Sequence, residues 1–133
     1  MSITDKSKIV IIGAGNVGEA VCYTLMVRRQ ASEIVLEVGG LFQGAVCAGG
    51  GHLPHIASLN GGYEDCADAQ IIILTAGVAR KPGQTRLDLA KTNVSITRDI
   101  ARRIMQYAVN PILVVVSNPV DVLTYVVQQE PGL

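Results

Sequence analysis

Lys8-Ile9-Val10-Ile11-Ile12-Gly13-Ala14-Gly15-Asn16-Val17-Gly18-Glu19-Ala20-Val21 is the stretch on which the fold turns. It opens as an unbroken β-branched apolar run, passes through a cluster of glycines and continues as an amphipathic pattern. An apolar run without alternation is how a strand covered on both faces reads. Val17, Ala20, Val21, Thr24 and Leu25 then recur at helical spacing. Outward from this unit come three more runs of the first kind: Ile34-Val35-Leu36, Ile71-Ile72-Ile73-Leu74 and Ile112-Leu113-Val114-Val115-Val116. A second helical stripe lies within Leu87 to Tyr107, carried by Ala90, Val94, Ala101, Ile104 and Met105. A third helix is expected after Pro119, through Val122, Leu123, Val126 and Val127, ending at Pro131-Gly132. Strands alternating with helices specify parallel β-α-β units, and right-handed crossovers make them an open sheet. The expectation is an α/β, doubly wound, mostly parallel sheet with helices on both faces. A further short strand is expected at Ile56 to Leu59. The span Gly39 to Gly62 holds eight of the 14 glycines, which argues against a stable helix there.

Composition narrows the class. At 133 residues, 49% apolar and 17% charged, the chain fits one domain with a substantial core, residues 1–133. Lys+Arg and Asp+Glu both number 11, so bulk charge points neither to nucleic acid nor to an anionic membrane. Arg98, Arg102 and Arg103 at helical spacing read as a solvated face. Cys22, Cys47 and Cys66 form no C-x-x-C pair and leave an odd number, which favours a reducing, cytoplasmic setting over disulfides or zinc. Met1 to Lys8 is polar, unlike a signal peptide, and no apolar run approaches a membrane span. No metal site is expected.

Gly13-Ala14-Gly15-Asn16-Val17-Gly18 is a G-x-G-x-x-G placed between a buried strand and a helix, the context that gives the motif meaning. Gly13 permits the tight turn, Gly15 lets a pyrophosphate approach the backbone, and Gly18 allows close helix–strand packing. The helix amino terminus adds free N–H groups and the positive end of its dipole. The expectation is a Rossmann-type sheet binding a dinucleotide, with a merely structural turn as the alternative. Such turns also expect an acid about 20 residues on, where it hydrogen-bonds the adenosine ribose. Glu37 stands nineteen residues after Gly18 and closes the second apolar run. A carboxylate there repels a 2′-phosphate, so NAD is expected over NADP. Ligands of parallel sheets bind beyond the carboxyl ends of the strands. The residues that follow the apolar runs there are Gly13, Glu37, Thr75-Ala76-Gly77 and Ser117-Asn118.

Thr75-Ala76-Gly77-Val78-Ala79-Arg80-Lys81-Pro82-Gly83-Gln84-Thr85-Arg86-Leu87-Asp88-Leu89 resembles the substrate loop of the lactate and malate dehydrogenases. Asn93 in Lys91-Thr92-Asn93, Ser117-Asn118-Pro119-Val120-Asp121 and Gly62-Tyr63-Glu64-Asp65-Cys66 resemble further stretches of that family in their proper order. The resemblance covers Lys8 to Leu36 and Ile56 to Leu133. It implies the NAD-binding half of an oxidoreductase that moves hydride between NAD and a small 2-hydroxy or 2-keto acid. It also implies a parent that is a homodimer or homotetramer. Arg86 would polarise the keto oxygen as charge develops on it. Asn118 would contact substrate and the nicotinamide side. Gly13, Gly15, Asn16, Val17, Gly18, Glu37, Tyr63, Thr75, Ala76, Gly77, Asn93 and Ser117 would line the cofactor groove. Arg80 holds the family's selectivity position, where a guanidinium suits a second carboxylate and so resembles malate enzymes more than lactate enzymes.

The sequence departs from the family in two places. From Val38 to about His55 the usual strand end and helix give way to a glycine-rich stretch. In direct register the family's ribose-binding aspartate falls at Val38, and a shift of one residue reverses the face a side chain occupies. His52 and His55, inside this stretch, are read as neither ligands nor bases. The chain also ends at Leu133, where the family continues into a substrate domain carrying the catalytic histidine, so this chain alone is expected to be inactive. A second reading is a non-catalytic nucleotide-binding or assembly domain. Arg80 and Arg86 weigh against it, because a pure binding domain has no use for two arginines on a polar loop. A short-chain reductase is disfavoured by the lack of a suitably placed Tyr-x-x-x-Lys.

Overall fold

The computed structural model describes residues 7–37 and 56–131, with only the backbone described for 56–61. Strands β1 (Lys8–Ile12), β2 (Glu33–Glu37), β3 (Ile56–Gly61), β4 (Ile71–Leu74) and β5 (Ile112–Val115) form one parallel sheet in the order β3-β2-β1-β4-β5. The helices are α1 (Asn16–Val27), α2 (Arg86–Met105) and α3 (Val120–Gln128), with a 3₁₀ turn at Tyr63–Asp68. The strand expected at Ile56 is present and runs to Gly61. The unusual stretch 38–55, with Cys47, His52 and His55, lies outside the described residues.

Alternation along the strands sorts the core into two layers. Ile9, Ile11, Ile34 and Leu36 face α1 with Cys22 and Ala31. Val10, Ile12, Val35, Ile72 and Leu74 face the other way, onto Ile100, Ala101 and Ile104 of α2 and Val127 of α3. Helices thus cover both faces, and the fold is doubly wound as the sequence implies. From β1 the chain winds one way through β2 and β3, then crosses to β4 and β5 on the other side of β1. The order reverses between β1 and β4, and the crevice outside their carboxyl ends is where such sheets bind ligands.

Two sequence expectations are corrected and a third is extended. The α1 stripe is rotated: Gly18 and Cys22 are buried, with Val21, Leu25 and Met26 packed beside them, while Val17 is 54% exposed. Small side chains let α1 lie close on the sheet, and close approach outranks the size of Val17. The fourth apolar run is not covered on both faces. Leu113 and Val115 pack under the α2 layer, but Ile112 is 63% exposed and Val114 and Val116 also face solvent. Here β5 is the edge strand farthest from α1, which sits over β1 and β2. The three arginines are exposed, as expected of a solvated face, and also carry ion pairs. Arg98 and Arg102 reach the buried carboxylate of Glu130 at 3.0 and 2.9 Å, joining α2 to the end of α3. Arg103 pairs with Asp99 at 2.9 Å and lies over the Tyr63 ring.

At the amino edge, Lys8 gathers Asp68 at 2.7 Å, Glu33 at 3.5 Å and Asp65 at 3.7 Å. Burial opposes its charge, yet the hydrogen bond to Asp68 and the three carboxylates hold its pKa above the ordinary lysine value. The cluster ties the later part of the 3₁₀ turn, Asp65 and Asp68, to the amino ends of β1 and β2.

Candidate functional site

The glycine turn is a cradle of backbone. Gly13 adopts φ +109°, and a Cβ there would stand 2.6 Å from the backbone nitrogen of Ala76. A Cβ on Gly18 would collide with the carbonyl of Gly13. Gly15, by contrast, has open space above it, and as the N-cap of α1 it leaves that helix end with no side-chain cap. The first turn of α1 therefore presents uncapped backbone N–H groups beside open space. That arrangement suits a pyrophosphate and fits NAD.

Hydrogen bonds tie the cradle to its neighbours. The N–H of Gly13 donates to the carbonyl of Glu37 at 3.3 Å, and that of Thr75 to Ile12 at 2.9 Å. The Thr75 hydroxyl donates to the carbonyls of Ile12 and Gly13 at 3.1 and 2.9 Å. Ser117 Oγ donates to the carbonyl of Ala76 at 2.6 Å. Asn93, only 3% exposed, links two loops: its Oδ1 accepts from Val78 N–H at 2.9 Å, and its Nδ2 donates to the Asn118 carbonyl at 2.8 Å. The Asn118–Pro119 peptide is cis. Thr75, Asn93 and Ser117 thus set the shape of the groove through its backbone.

These residues surround a cavity of about 370 Å³, lined by Val17, Thr75, Gly77, Arg80, Asn93, Ser117 and Asn118 among others. Val78, Ala79, Leu89 and Val116 complete the lining and were missed by the sequence reading. Two of them carried a usable signal: Leu89 stands one helical turn before Asn93, and Val116 immediately precedes Ser117. Arg80 is exposed at the mouth, its Nε donating to the Gln84 carbonyl at 3.0 Å. Lys81-Pro82-Gly83-Gln84 closes as a turn, with Gly83 at φ +80° and Gln84 N–H on the Lys81 carbonyl at 3.1 Å. With Nε occupied, both terminal nitrogens of Arg80 remain available to a carboxylate. Arg86 is exposed at the first residue of α2, outside the cavity lining.

Glu37 and Tyr63 lie apart from this cavity. Strand alternation puts Glu37 on the face of Val35, toward the α2 layer. Burial raises the Glu37 pKa, against the opposing charge of Arg103. Tyr63, half-buried, packs on the same core layer as Ala76 and Ile96. Its phenol is raised by burial and then by the nearby Glu37 carboxylate. Cys66 beneath is fully buried, its thiol pushed up to about 11 by desolvation and then by Asp65, which makes it an inert core residue. Among the described residues no cluster of His, Cys, Asp and Glu could hold a metal ion, and no helix is long and apolar enough to cross a membrane.

The family model for the lactate/malate dehydrogenase NAD-binding domain matches residues 7–133. The chain belongs to the lactate/malate dehydrogenase family. It is that family's NAD-binding domain. An L-lactate dehydrogenase of Nitratidesulfovibrio vulgaris is 40% identical over 96% of this chain and 43% of its own length. A malate dehydrogenase of Pelodictyon phaeoclathratiforme is 42% identical over 95% of this chain and 43% of its own. Among solved structures, the minor L-lactate dehydrogenase of Enterococcus mundtii superimposes with a TM-score of 0.85 at 43% identity, covering 99% of this chain and 43% of that one. The malate dehydrogenase of Archaeoglobus fulgidus in complex with NADH gives 0.79 at 36% identity, over 95% of this chain and 45% of its own. This NAD-binding domain therefore spans less than half the length of the relatives it matches, and lactate and malate enzymes stand together among them.

Proposed function

We propose that this domain is the cofactor-binding half of an NAD-dependent 2-hydroxy-acid dehydrogenase that favours malate and oxaloacetate over lactate and pyruvate. NAD supplies the hydride acceptor. The residues of this chain bind and orient it: the Gly13–Gly18 turn takes the pyrophosphate, and Thr75, Gly77, Asn93, Ser117 and Asn118 shape the groove beside it. Arg86 serves the keto oxygen when the loop closes over substrate.

The observation that carries the substrate preference is Arg80 at the cavity mouth, with its terminal nitrogens free. A distal carboxylate meeting that fork gains a charge-assisted contact of about 1.5–3 kcal/mol. That corresponds to roughly 10- to 150-fold at about 1.4 kcal/mol per decade. Pyruvate offers a methyl group there and leaves the guanidinium unpartnered. The test is Arg80→Gln in the full-length dehydrogenase, read as kcat/KM on oxaloacetate against pyruvate. A shift of the ratio toward pyruvate is expected, and an unmoved ratio overturns the malate preference.

A further inference from the structure

Outside the cavity, a second group of side chains converges beyond β2. Tyr63 opens the 3₁₀ turn and is half-buried against the core layer that includes Ala76 and Ile96. The Arg103 guanidinium carbon lies 5.7 Å from the centre of its ring, within cation–π range. Arg103 is held there by Asp99, one helical turn earlier on α2, at 2.9 Å. Glu37 is close enough to influence both Tyr63 and Arg103 electrostatically. Its own backbone carbonyl accepts from Gly13, the first residue of the dinucleotide turn. Asp99, Arg103 and Tyr63 are thus in direct contact, and Glu37, within electrostatic reach of Tyr63 and Arg103, lies one backbone hydrogen bond from the pyrophosphate cradle. It lies on the β2 side of it, away from the Arg80 cavity.

A dinucleotide lying across the switch point has one half on each side. The cavity containing Arg80, Asn93 and Asn118 takes the reacting half, so the adenosine half falls on the β2 side. A tyrosine ring can form part of the wall there only if its orientation is fixed. The core packs against Tyr63 from within, and Arg103 covers it from α2.

We propose that Arg103, pinned by Asp99, is a positioning residue for the adenosine half of NAD, acting by holding the Tyr63 ring in place. The inference rests on the NAD-binding reading of the glycine turn. Arginine suits the role because its planar cation both stacks on the ring and keeps a directed bond to the carboxylate. Because Asp99 and Glu37 already offset its charge, Arg103 does not recruit a 2′-phosphate, and the site keeps its preference for NAD.

The experiment measures NADH, NADPH and AMP binding to this chain, comparing it with Arg103→Gln, Arg103→Lys, Tyr63→Leu and the double variant Arg103→Gln/Tyr63→Leu. Arg103→Gln is expected to weaken NADH and AMP about three- to tenfold, with Arg103→Lys recovering part of the loss. In the Tyr63→Leu background the same change has little further effect, since the two residues act as one unit. Asp99→Asn, which frees the guanidinium, is expected to raise NADPH affinity relative to NADH. A purely structural brace would lower the thermal midpoint while leaving AMP affinity and the NADH-to-NADPH ratio unmoved, and that result overturns the proposal. Additive losses in the double variant overturn it as well. Failure of the unaltered chain to bind NADH overturns the cofactor reading and this proposal with it. NADH binding by the unaltered chain with undiminished affinity in Arg103→Gln overturns this proposal alone.

Discussion

Gly15 and Gly18 occupy the same turn but answer to different constraints, and substitution separates them. Nothing lies within 4 Å of a Cβ placed on Gly15, whereas one on Gly18 meets the Gly13 carbonyl and comes within 2.8 Å of Thr75 Oγ1. Gly15→Leu should therefore leave the thermal midpoint nearly unchanged and reduce NADH affinity more than about tenfold, because its side chain fills the pyrophosphate's approach. Gly18→Ala should instead lower stability by about 1–3 kcal/mol through overpacking. Fluorescence titration and thermal melts on both variants check the contrast, and retained NADH affinity in Gly15→Leu would show the site to be elsewhere. Thr97 offers a test of the opposite sign. It is fully buried on α2, and its hydroxyl finds no hydrogen-bond partner among the described residues. Thr97→Val removes that hydroxyl from an apolar layer at almost constant shape, and a gain of about 1 kcal/mol is expected in denaturant unfolding.

The helix α2 begins with a capping box that ties its stability to pH. Thr85 Oγ1 accepts from Asp88 N–H at 3.1 Å, and Asp88 Oδ2 accepts from Thr85 N–H at 3.2 Å and from the Thr85 hydroxyl at 2.7 Å. The side-chain bond from Thr85, then its backbone bond, holds the Asp88 carboxyl below the ordinary aspartate range. A depressed folded value means the contribution is fully present above the unfolded pKa and is lost as pH falls through the folded one. Protection of the amides at the start of α2, taken relative to their intrinsic exchange rates, should fall below about pH 4, and Thr85→Ala should abolish that step; an identical acid profile in the variant would refute it. β1, β2, β4, α2 and the glycine turn were legible in the sequence, because each is fixed by local pattern, whereas the capping box went unread. What else escaped was set by partners distant in sequence. Ile112 to Val116 reads the same whether one face or two are covered, and only the sheet order makes β5 an edge. Arg98 and Arg102 are exposed as expected, but their ion pairs escaped because Glu130, their buried partner, lies just past the end of another helix. The face of α1 was misplaced because Gly18 and Cys22, which touch the sheet, are small and Val17, which does not, is large. The cavity residues Thr75, Asn93 and Ser117 were found, but their work of tying loop backbones together became visible only in their hydrogen bonds.

At the scale of the molecule, the chemistry of the cavity sets what this chain can do alone. Oxidising a 2-hydroxy acid removes a hydride from carbon and a proton from the hydroxyl, and the proton needs a base within hydrogen-bond reach. The cavity lining is Val17, Thr75, Gly77, Val78, Ala79, Arg80, Leu89, Asn93, Val116, Ser117 and Asn118. Arg80 is the ionisable side chain in that set, and a guanidinium stays protonated throughout the neutral range, so it can hold a carboxylate but cannot take a proton. Thr75 and Ser117 hydroxyls are committed to backbone carbonyls. Among the described residues, the lining offers groups suited to binding, orientation and an electrostatic anchor, and none that could act as a general base. A positioned acid–base group contributes about 10²- to 10⁴-fold on its own. The exposed row Ile112 and Val114 on the edge strand, continued by Val116 just after it, also leaves an apolar strip in water. The purified chain is accordingly expected to bind NADH, with NADPH weaker, and to turn over neither malate nor lactate measurably. The decisive measurement follows absorbance at the NADH band with each acid in turn, on a monodisperse sample whose NADH binding has first been demonstrated by titration. Steady NADH formation from either acid would mean that a base reaches the substrate from within this chain, and the division of labour proposed here would fail.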